Sequence, residues 1–292
     1  MSTLASRKEQ TADILRLLRA DLGMSQTERV NELLRLRNAQ RVLLDNTSTL
    51  FASRTAEEEE LDSWHSSGFN SVNVLEEEYP ELLLGVREAP GILYWQGTLN
   101  PSELGVSIVG SRAADSAVLR ITREFAAMLA TEGIPVISGL AKGIDTAAHE
   151  GALSVGGRTI AVMGTGLDKT YPAENKHLRE DIQANQGLVM TQFEPYSDTH
   201  RFNFPMRNAV MSGYGLATVV MAATEKSGTR HQVKAAVKHG RKVIFTGRVA
   251  NYVKWANELV MQGKAVSVTS LEHAVDVAQS VIDERNSQTM LF

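Results

Sequence analysis

The chain contains no cysteine among its 292 residues. A disulfide scaffold and any cysteine-ligated metal site are therefore excluded, and a reducing compartment is the natural setting. Long apolar runs are missing as well: no stretch approaches the ~20 residues that a membrane span requires. The N-terminal segment MSTLASRKEQTADILRLL has neither an extended apolar core nor a cleavage site, so it does not read as a secretory signal. Internal repeats and low-complexity segments are absent too. These absences predict a cytoplasmic protein with no membrane segment. An excess of positive charge is also lacking, since the net charge is −4. What is present is an ordinary globular composition, 43% hydrophobic and 22% charged, which suffices to bury a core.

The distribution of charge is less ordinary than its sum. Between positions 199 and 242 stand Arg201, Arg207, Lys226, Arg230, Lys234, Lys238, Arg241 and Lys242 against a single acid, Glu225, a local charge of +7. Much of the balancing acid lies between Glu57 and Glu88. A basic segment on an acidic chain is the electrostatic footprint expected of a polyanion-binding face.

The hydrophobic period divides the chain. Residues 11–23 and 25–45 carry apolar side chains at three- and four-residue spacing, such as Ile14, Leu17 and Leu18, then Val30, Leu33 and Leu34. Ser25 with Glu28 three residues later reads as a capping box. TAEEEELDSWHSSG reads as a further helix whose acidic first turn suits the helix dipole. After about Gly91 short apolar runs alternate with helical ones. The predicted strands are VSIVG, IPVISG, TIAVMG, GLVMTQ, ATVVMA, KVIFTG and AVSV, and the predicted helices span 116–130, 145–155, 229–238 and 253–261. Strands apolar on both faces and separated by helices imply a doubly wound α/β domain with a mostly parallel sheet, its ligands beyond the carboxyl ends of the strands. The expected organisation is a helical region over 1–78, an α/β domain over 79–284 and a polar, flexible tail over 285–292.

Three strand ends carry similar chemistry. VSIVGSRAADS ends in Gly110, Ser111 and Arg112 before a helix. IPVISGLAKGIDTAAHEGAL gives Ser138, Gly139, Lys142 and Gly143 before a helix beginning near Asp145. TIAVMGTGLDKTYPAEN gives Gly164 and Gly166. Glycines allow close backbone approach, and the following helices direct free N–H groups toward an anion. With Arg112 and Lys142 as cations, the three loops suggest a phosphate site. GTGLDKT is neither a P-loop, lacking the Gly before Lys169, nor a dinucleotide fingerprint, since Lys169 replaces the third Gly. Asp145 reads as a loop tether or cap and His149 as a packing residue, so no catalytic residue, cofactor or metal is expected.

The motifs IVGSR, SGLAKGIDTAAHEGAL, RTIAVMGTGLDKTYPAEN and FPMRN, with YPELLLGVREAPGILYWQG before them, closely resemble the DNA-processing protein A (DprA, also Smf) family over about 79–246. The resemblance implies a Rossmann-like fold and a non-enzymatic single-stranded-DNA-binding protein. It also implies a homodimer that helps load a RecA-type recombinase. Carried over by motif, the DNA site comprises Gly110, Ser111, Arg112, Ser138, Gly139, Lys142, Gly143, Phe204, Arg207 and Asn208, with Arg201 added as a nearby cation. The apolar stretch SLEHAVDVAQSVI is a candidate dimer surface. Departures from the family pattern are Ala209-Val210 after Arg207-Asn208, a displaced Glu225, Thr246-Gly247-Arg248 after KVIF, and no segment resembling the C-terminal winged-helix domain. The rival readings are a small-nucleotide sensor and a nucleotide phosphoribohydrolase. The second places Gln232 where a catalytic Glu belongs, and a carboxamide is no base. The final residues, Gln288, Thr289, Met290, Leu291 and Phe292, are similar to the short motif that docks into the bacterial sliding clamp.

Overall fold

The computed structural model describes residues 4–47 and 53–289. Helix α1 (Leu4–Arg19) opens the chain, followed by α2 (Gln26–Leu36), α3 (Ala39–Asn46) and α4 (Thr55–Ser66). The capping box at α2 is present: the Glu28 N–H donates to Ser25 Oγ (3.3 Å) and the Ser25 N–H donates to the Glu28 carboxylate (2.7 Å). The periodic run 25–45 is two helices rather than one. Arg37 takes a left-handed φ of 55°, and Asn38 restarts the chain by accepting from the Arg41 N–H at 2.9 Å. The acids of α4 are matched to α1: Arg16 pairs with Glu57 at 2.8 Å and Arg19 with Glu60 at 2.7 Å.

A nine-stranded sheet follows. Its strands are β1 (Asn70–Asn73), β2 (Ile92–Gly97), β3 (Val106–Gly110), β4 (Val136–Ser138), β5 (Thr159–Val162), β6 (Leu188–Thr191), β7 (Ala217–Ala222), β8 (Lys242–Thr246) and β9 (Val266–Val268), in the spatial order β1-β2-β6-β5-β4-β3-β7-β8-β9. The seven predicted strands are all there, mutually parallel where they pair. Strands β1 and β2 were not predicted. They pair antiparallel with each other, and β2 pairs antiparallel with β6 through Tyr94↔Thr191, so one edge of the sheet is mixed. The sheet therefore starts at Asn70, and the boundary expected at 78/79 falls between two hydrogen-bonded strands. Strand β1 (NSVN) is too polar to announce itself. Its Asn73 is buried because the side chain donates to Thr11 Oγ1 of α1 at 2.9 Å.

The intervening helices are α5 (Glu81–Leu84), α6 (Ser116–Thr131), α7 (Ile144–Ser154), α8 (Lys176–Ala184), α9 (Asn203–Tyr214), α10 (Thr229–Lys238), α11 (Gly247–Tyr252), α12 (Lys254–Met261) and α13 (Leu271–Thr289). One core contains Phe125, Leu129, Ala148 and Ala278 of α6, α7 and α13 with Ile108 and Val219 of the sheet. A second contains Met211 and Val233 of α9 and α10, Trp255 of α12, and the N-terminal helices. Both faces are thus covered, as a parallel sheet demands. From β3 the chain winds one way through β4 to β6, then returns beside β3 as β7 and winds the other way, which puts a topological switch between β3 and β7.

Two expectations fail at the C-terminus. The polar residues 283–288, expected to be flexible, continue α13. Gln279 Nε2 donates to Asp283 Oδ1 and Ser287 Oγ donates to the Asp283 carbonyl, both at 2.8 Å, so helix-spaced partners stabilise the last turns. The apolar side of SLEHAVDVAQSVI, with Ala274, Ala278 and Ile282 buried, packs on the chain's own sheet and is not free to form a dimer surface. Gln288 is exposed on α13, whereas Met290, Leu291 and Phe292 lie outside the described residues. No described helix is long and apolar enough to cross a membrane.

Candidate functional site

The switch between β3 and β7 opens a cavity of about 480 Å³. Its first wall is the turn after β3. The ladder slips between Val109 and Gly110 so that Gly110 pairs with Ala222, and the Ser111 N–H donates to the Ala222 carbonyl at 3.0 Å. A Cβ on Gly110 would meet Ile144 at 2.6 Å, so only glycine lets the turn lie this close to α7. Ser111 Oγ accepts from the Ala113 N–H (3.1 Å), and Asp115, not Ser116, caps α6 by accepting from the Val118 N–H (2.9 Å). Arg112 is exposed and has no carboxylate partner among the described residues; its guanidinium lies over the Phe204 ring, 5.5 Å from the centroid.

Phe204 belongs to α9 and is half-buried. It rests on Gly164, where an added Cβ would stand 2.8 Å from the ring, and against Tyr171, with ring centroids 5.5 Å apart. The third glycine loop thus reaches the site as a floor for an aromatic ring. Asn208, one turn further along α9, also lines the cavity.

The far wall was not foreseen. Thr224, the loop Ser227-Gly228-Thr229 and residues His231 and Gln232 of α10 complete the cavity. Ser227 Oγ accepts from the Thr229 N–H (3.2 Å) and donates to Thr229 Oγ1 (2.7 Å), which fixes the start of α10. Gln232 is 1% exposed, and neither its amide oxygen nor its amide nitrogen has a partner among the described residues. The signal available in the sequence was SGT before a helix, an ST-turn at a helix N-terminus.

The second predicted loop behaves differently. Ser138 Oγ donates to the Ile108 carbonyl (2.7 Å) and is fully buried. The Gly139 and Ala141 N–H groups donate to Asp145 at 3.2 and 3.4 Å. Gly139 packs directly on the guanidinium of Arg207, leaving no space for a Cβ. Gly143 has φ 79°, and a Cβ there would be 2.6 Å from the Ser111 carbonyl. Lys142 points at Glu174, with which it is ion-paired, and does not line the cavity. Of the predicted residues, Gly110, Ser111, Arg112, Phe204, Arg207 and Asn208 come together; Ser138, Gly139 and Gly143 form the layer behind them, and Lys142 is exposed beside Glu174. Arg201 is exposed at the approach to α9, outside the cavity lining.

Arg207 is the link between the two layers. It is only 4% exposed, donates through Nη1 to the Val162 carbonyl (3.0 Å) and stands 3.9 Å from Asp145. Burial lowers the proton affinity of the guanidinium, partly offset by Asp145. Burial likewise pushes the Asp145 carboxyl up, opposed by Arg207 and by its N–H donors. Asp145 is thus the tether expected. Behind it His149 is fully buried, with its pKa lowered to about 3, first by burial and then by Arg207. Thr159 gives its hydroxyl proton to the Val136 carbonyl (2.8 Å) and so must accept from His149 Nδ1–H (2.7 Å), which defines a neutral packing residue.

The basic segment 199–242 is not one face. Arg207 is buried, Lys238 pairs with Glu88, and Arg241 donates to the carbonyls of Leu82 (2.7 Å) and Gly213 (3.0 Å). Three of the eight cations are therefore committed to the fold.

The sequence pattern of the DNA recombination-mediator protein A family matches residues 70–279. Among curated relatives, the chain is 39% identical over 176 residues to the DNA processing protein DprA of Streptococcus pneumoniae, which covers 60% of this chain and 62% of that one. It is 32% identical over 203 residues to protein Smf of Escherichia coli, covering 69% and 54%. Against protein Smf of Synechocystis the identity is 42% over 171 residues, covering 57% and 43%. The matches thus span roughly half the length of these relatives. The X-ray structure of Streptococcus pneumoniae DprA superposes with a TM-score of 0.67 and 29% identity, covering 91% of this chain and 93% of that one. DNA processing protein A of Helicobacter pylori, solved in a study of its single-stranded DNA binding mode, has the same fold, with a TM-score of 0.64 at 24% identity over 73% of this chain. A match over most of the chain, with glycine loops, Arg112 and the FPMRN helix gathered at one switch point, establishes that this chain belongs to the DNA recombination-mediator protein A family.

Proposed function

We propose that the chain binds single-stranded DNA across the β3–β7 cavity with little sequence preference and without catalysing a reaction. One observation carries this reading: Arg112, free of any carboxylate among the described residues, lies on the Phe204 ring at the mouth of a cavity closed by the start of α10. A cation and helix N–H groups suit phosphate, and a half-exposed aromatic suits a base. The single-stranded DNA named for the Helicobacter pylori relative supports the choice of ligand. The phosphoribohydrolase reading is weaker, because Gln232 offers the cavity a carboxamide rather than a general base.

The test is a titration with oligonucleotides of increasing length, repeated over a range of salt. Affinity should rise with length, and Arg112→Ala should remove about 0.7 from the log–log salt slope. Saturable binding of a mononucleotide with no gain from length, or a slope unchanged by Arg112→Ala, would overturn the reading.

Family membership supports the next part of the proposal, and the terminal motif Gln288 to Phe292 supports the contact with the clamp. The protein acts in the cytoplasm as a homodimeric DNA-processing factor that helps deliver strands to a RecA-type recombinase. Residues Gln288 to Phe292 dock on the sliding clamp. Truncating Leu291 and Phe292 should abolish clamp capture and leave DNA binding unchanged.

A further inference from the structure

A second cavity, of about 530 Å³, lies on the other side of α9, between the N-terminal helices and the antiparallel edge of the sheet. Leu15 and Leu18 of α1, Val30 of α2, Ile92 of β2 and Met206 of α9 give it apolar walls. Two polar side chains reach this cavity without an internal hydrogen bond. Tyr94 is 2% exposed and its hydroxyl has no hydrogen-bond partner among the described residues. Asn203 is also 2% exposed, and its carboxamide has none either. Both side chains are almost wholly buried, yet their polar atoms are open to the cavity and unengaged, so they are available to hydrogen-bond a ligand there.

The chemistry of that ligand is constrained. Glu88, Glu194 and Asp198 also line the cavity. Glu194 is held by Arg19 in a two-pronged contact (2.9 and 2.6 Å), and Glu88 faces His239 at 2.9 Å. Carboxylates at the wall disfavour a phosphate. Apolar walls favour a flat ligand, and a carboxamide with a hydroxyl, both able to donate and accept, favour one with a mixed polar edge. Phe202, 61% exposed, lines the same cavity and stacks on His200, with rings 5.0 Å apart and 8° from parallel.

The source of such a ligand is indicated by α9. Phe202 and Met206 line this cavity while Phe204 and Asn208 line the one at the β3–β7 switch, so a single helix end separates an apolar site with carboxylates in its wall from a cationic one. We propose that the second cavity accepts an unstacked nucleobase from the strand whose backbone crosses the first, the base passing Phe202 and meeting Tyr94 and Asn203 with its polar edge. This rests on the single-stranded DNA reading above.

The experiment measures affinity for an oligonucleotide of fixed length, intact or with one abasic site placed at each position in turn. The intact strand should bind about tenfold more tightly than the strand abasic at one particular position, the scale of a single base contact. Ala209→Trp fills the second cavity only. It should abolish this preference while binding the abasic strand as the unmodified protein does. Tyr94→Phe removes one oxygen, should fold normally, and should reduce the preference about threefold. Arg112→Ala should weaken both strands equally and keep their ratio. Equal binding of intact strand and every abasic strand, or a preference that survives both Ala209→Trp and Tyr94→Phe, would overturn the base pocket alone. Absence of single-strand binding by the unmodified protein would overturn it together with the reading on which it rests.

Discussion

The turn at residues 110–112 and the loop at 138–143 look alike in the sequence: each follows a strand, contains glycine, carries one cation and leads into a helix. In the structure they do opposite work. The first leaves its cation facing solvent and its glycine against a cavity. The second turns inward, with Ser138 and Gly139 bound to the fold, Lys142 neutralised by Glu174, and Gly143 pressed on the carbonyls of the first loop. A glycine and a cation at a strand end therefore identify tight backbone packing, and the fate of the cation, free of carboxylates among the described residues at Arg112 and paired at Lys142, tells the two loops apart. Arg207 joins the two, lining the cavity while its Nη1 is engaged by Val162 and stands near Asp145.

This contrast is broken most directly at Arg207. Arg207→Ala should cost about 3–5 kcal/mol of stability in urea unfolding, because it strands Asp145 in the interior. A variant that unfolds like the parent yet has lost DNA affinity would make Arg207 a ligand residue after all. An effect confined to acid pH lies one layer deeper. His149 stays neutral in the folded protein down to about pH 3, while the unfolded chain takes up a proton below its ordinary value of 6.5. Its contribution is thus complete above pH 6.5 and is lost as the pH falls from there toward 3, by up to about 1.4 kcal/mol per unit. His149→Gln should flatten that part of a stability–pH curve. Arg112→Ala should do the reverse of Arg207→Ala, leaving stability within about 0.5 kcal/mol while weakening DNA binding roughly tenfold, as loss of a charged contact on one face does. The smallest effect is expected at Lys142, where Lys142→Ala removes an exposed ion pair worth at most about 1 kcal/mol and should change affinity less than Arg112→Ala. If Lys142→Ala weakens binding as much as Arg112→Ala, the two loops are equivalent and the distinction fails.

Much of this architecture is legible in the sequence, and the limits of legibility are physical. Strands β3 to β9 announce themselves because both faces are covered and their residues are uniformly apolar. Strand β1 does not, because its burial depends on hydrogen bonds to α1 that local pattern cannot reveal. The turn 110–112 and the FPMRN helix are readable as chemistry. The Ser227–Thr229 wall is not, since its contribution is backbone geometry at a helix start. The pairing of Lys142 is not legible either, because Glu174, its carboxylate partner, is distant in the chain. Residues 283–288 are misread because polar composition resembles disorder, although Asp, Glu, Arg and Gln at helical spacing extend α13 readily.

The position of α1 has a consequence for how this protein diversifies. Residues 70–279 match the family, and α1 to α4 lie before them. Yet Leu15 and Leu18 form a wall of the cavity beside α9. Substitutions in the N-terminal helices would reshape what that cavity admits without touching the turn that holds Arg112. On the proposed reading, part of the selectivity for a base would be written in the N-terminal helices, and the contact with the backbone in the turn that carries Arg112.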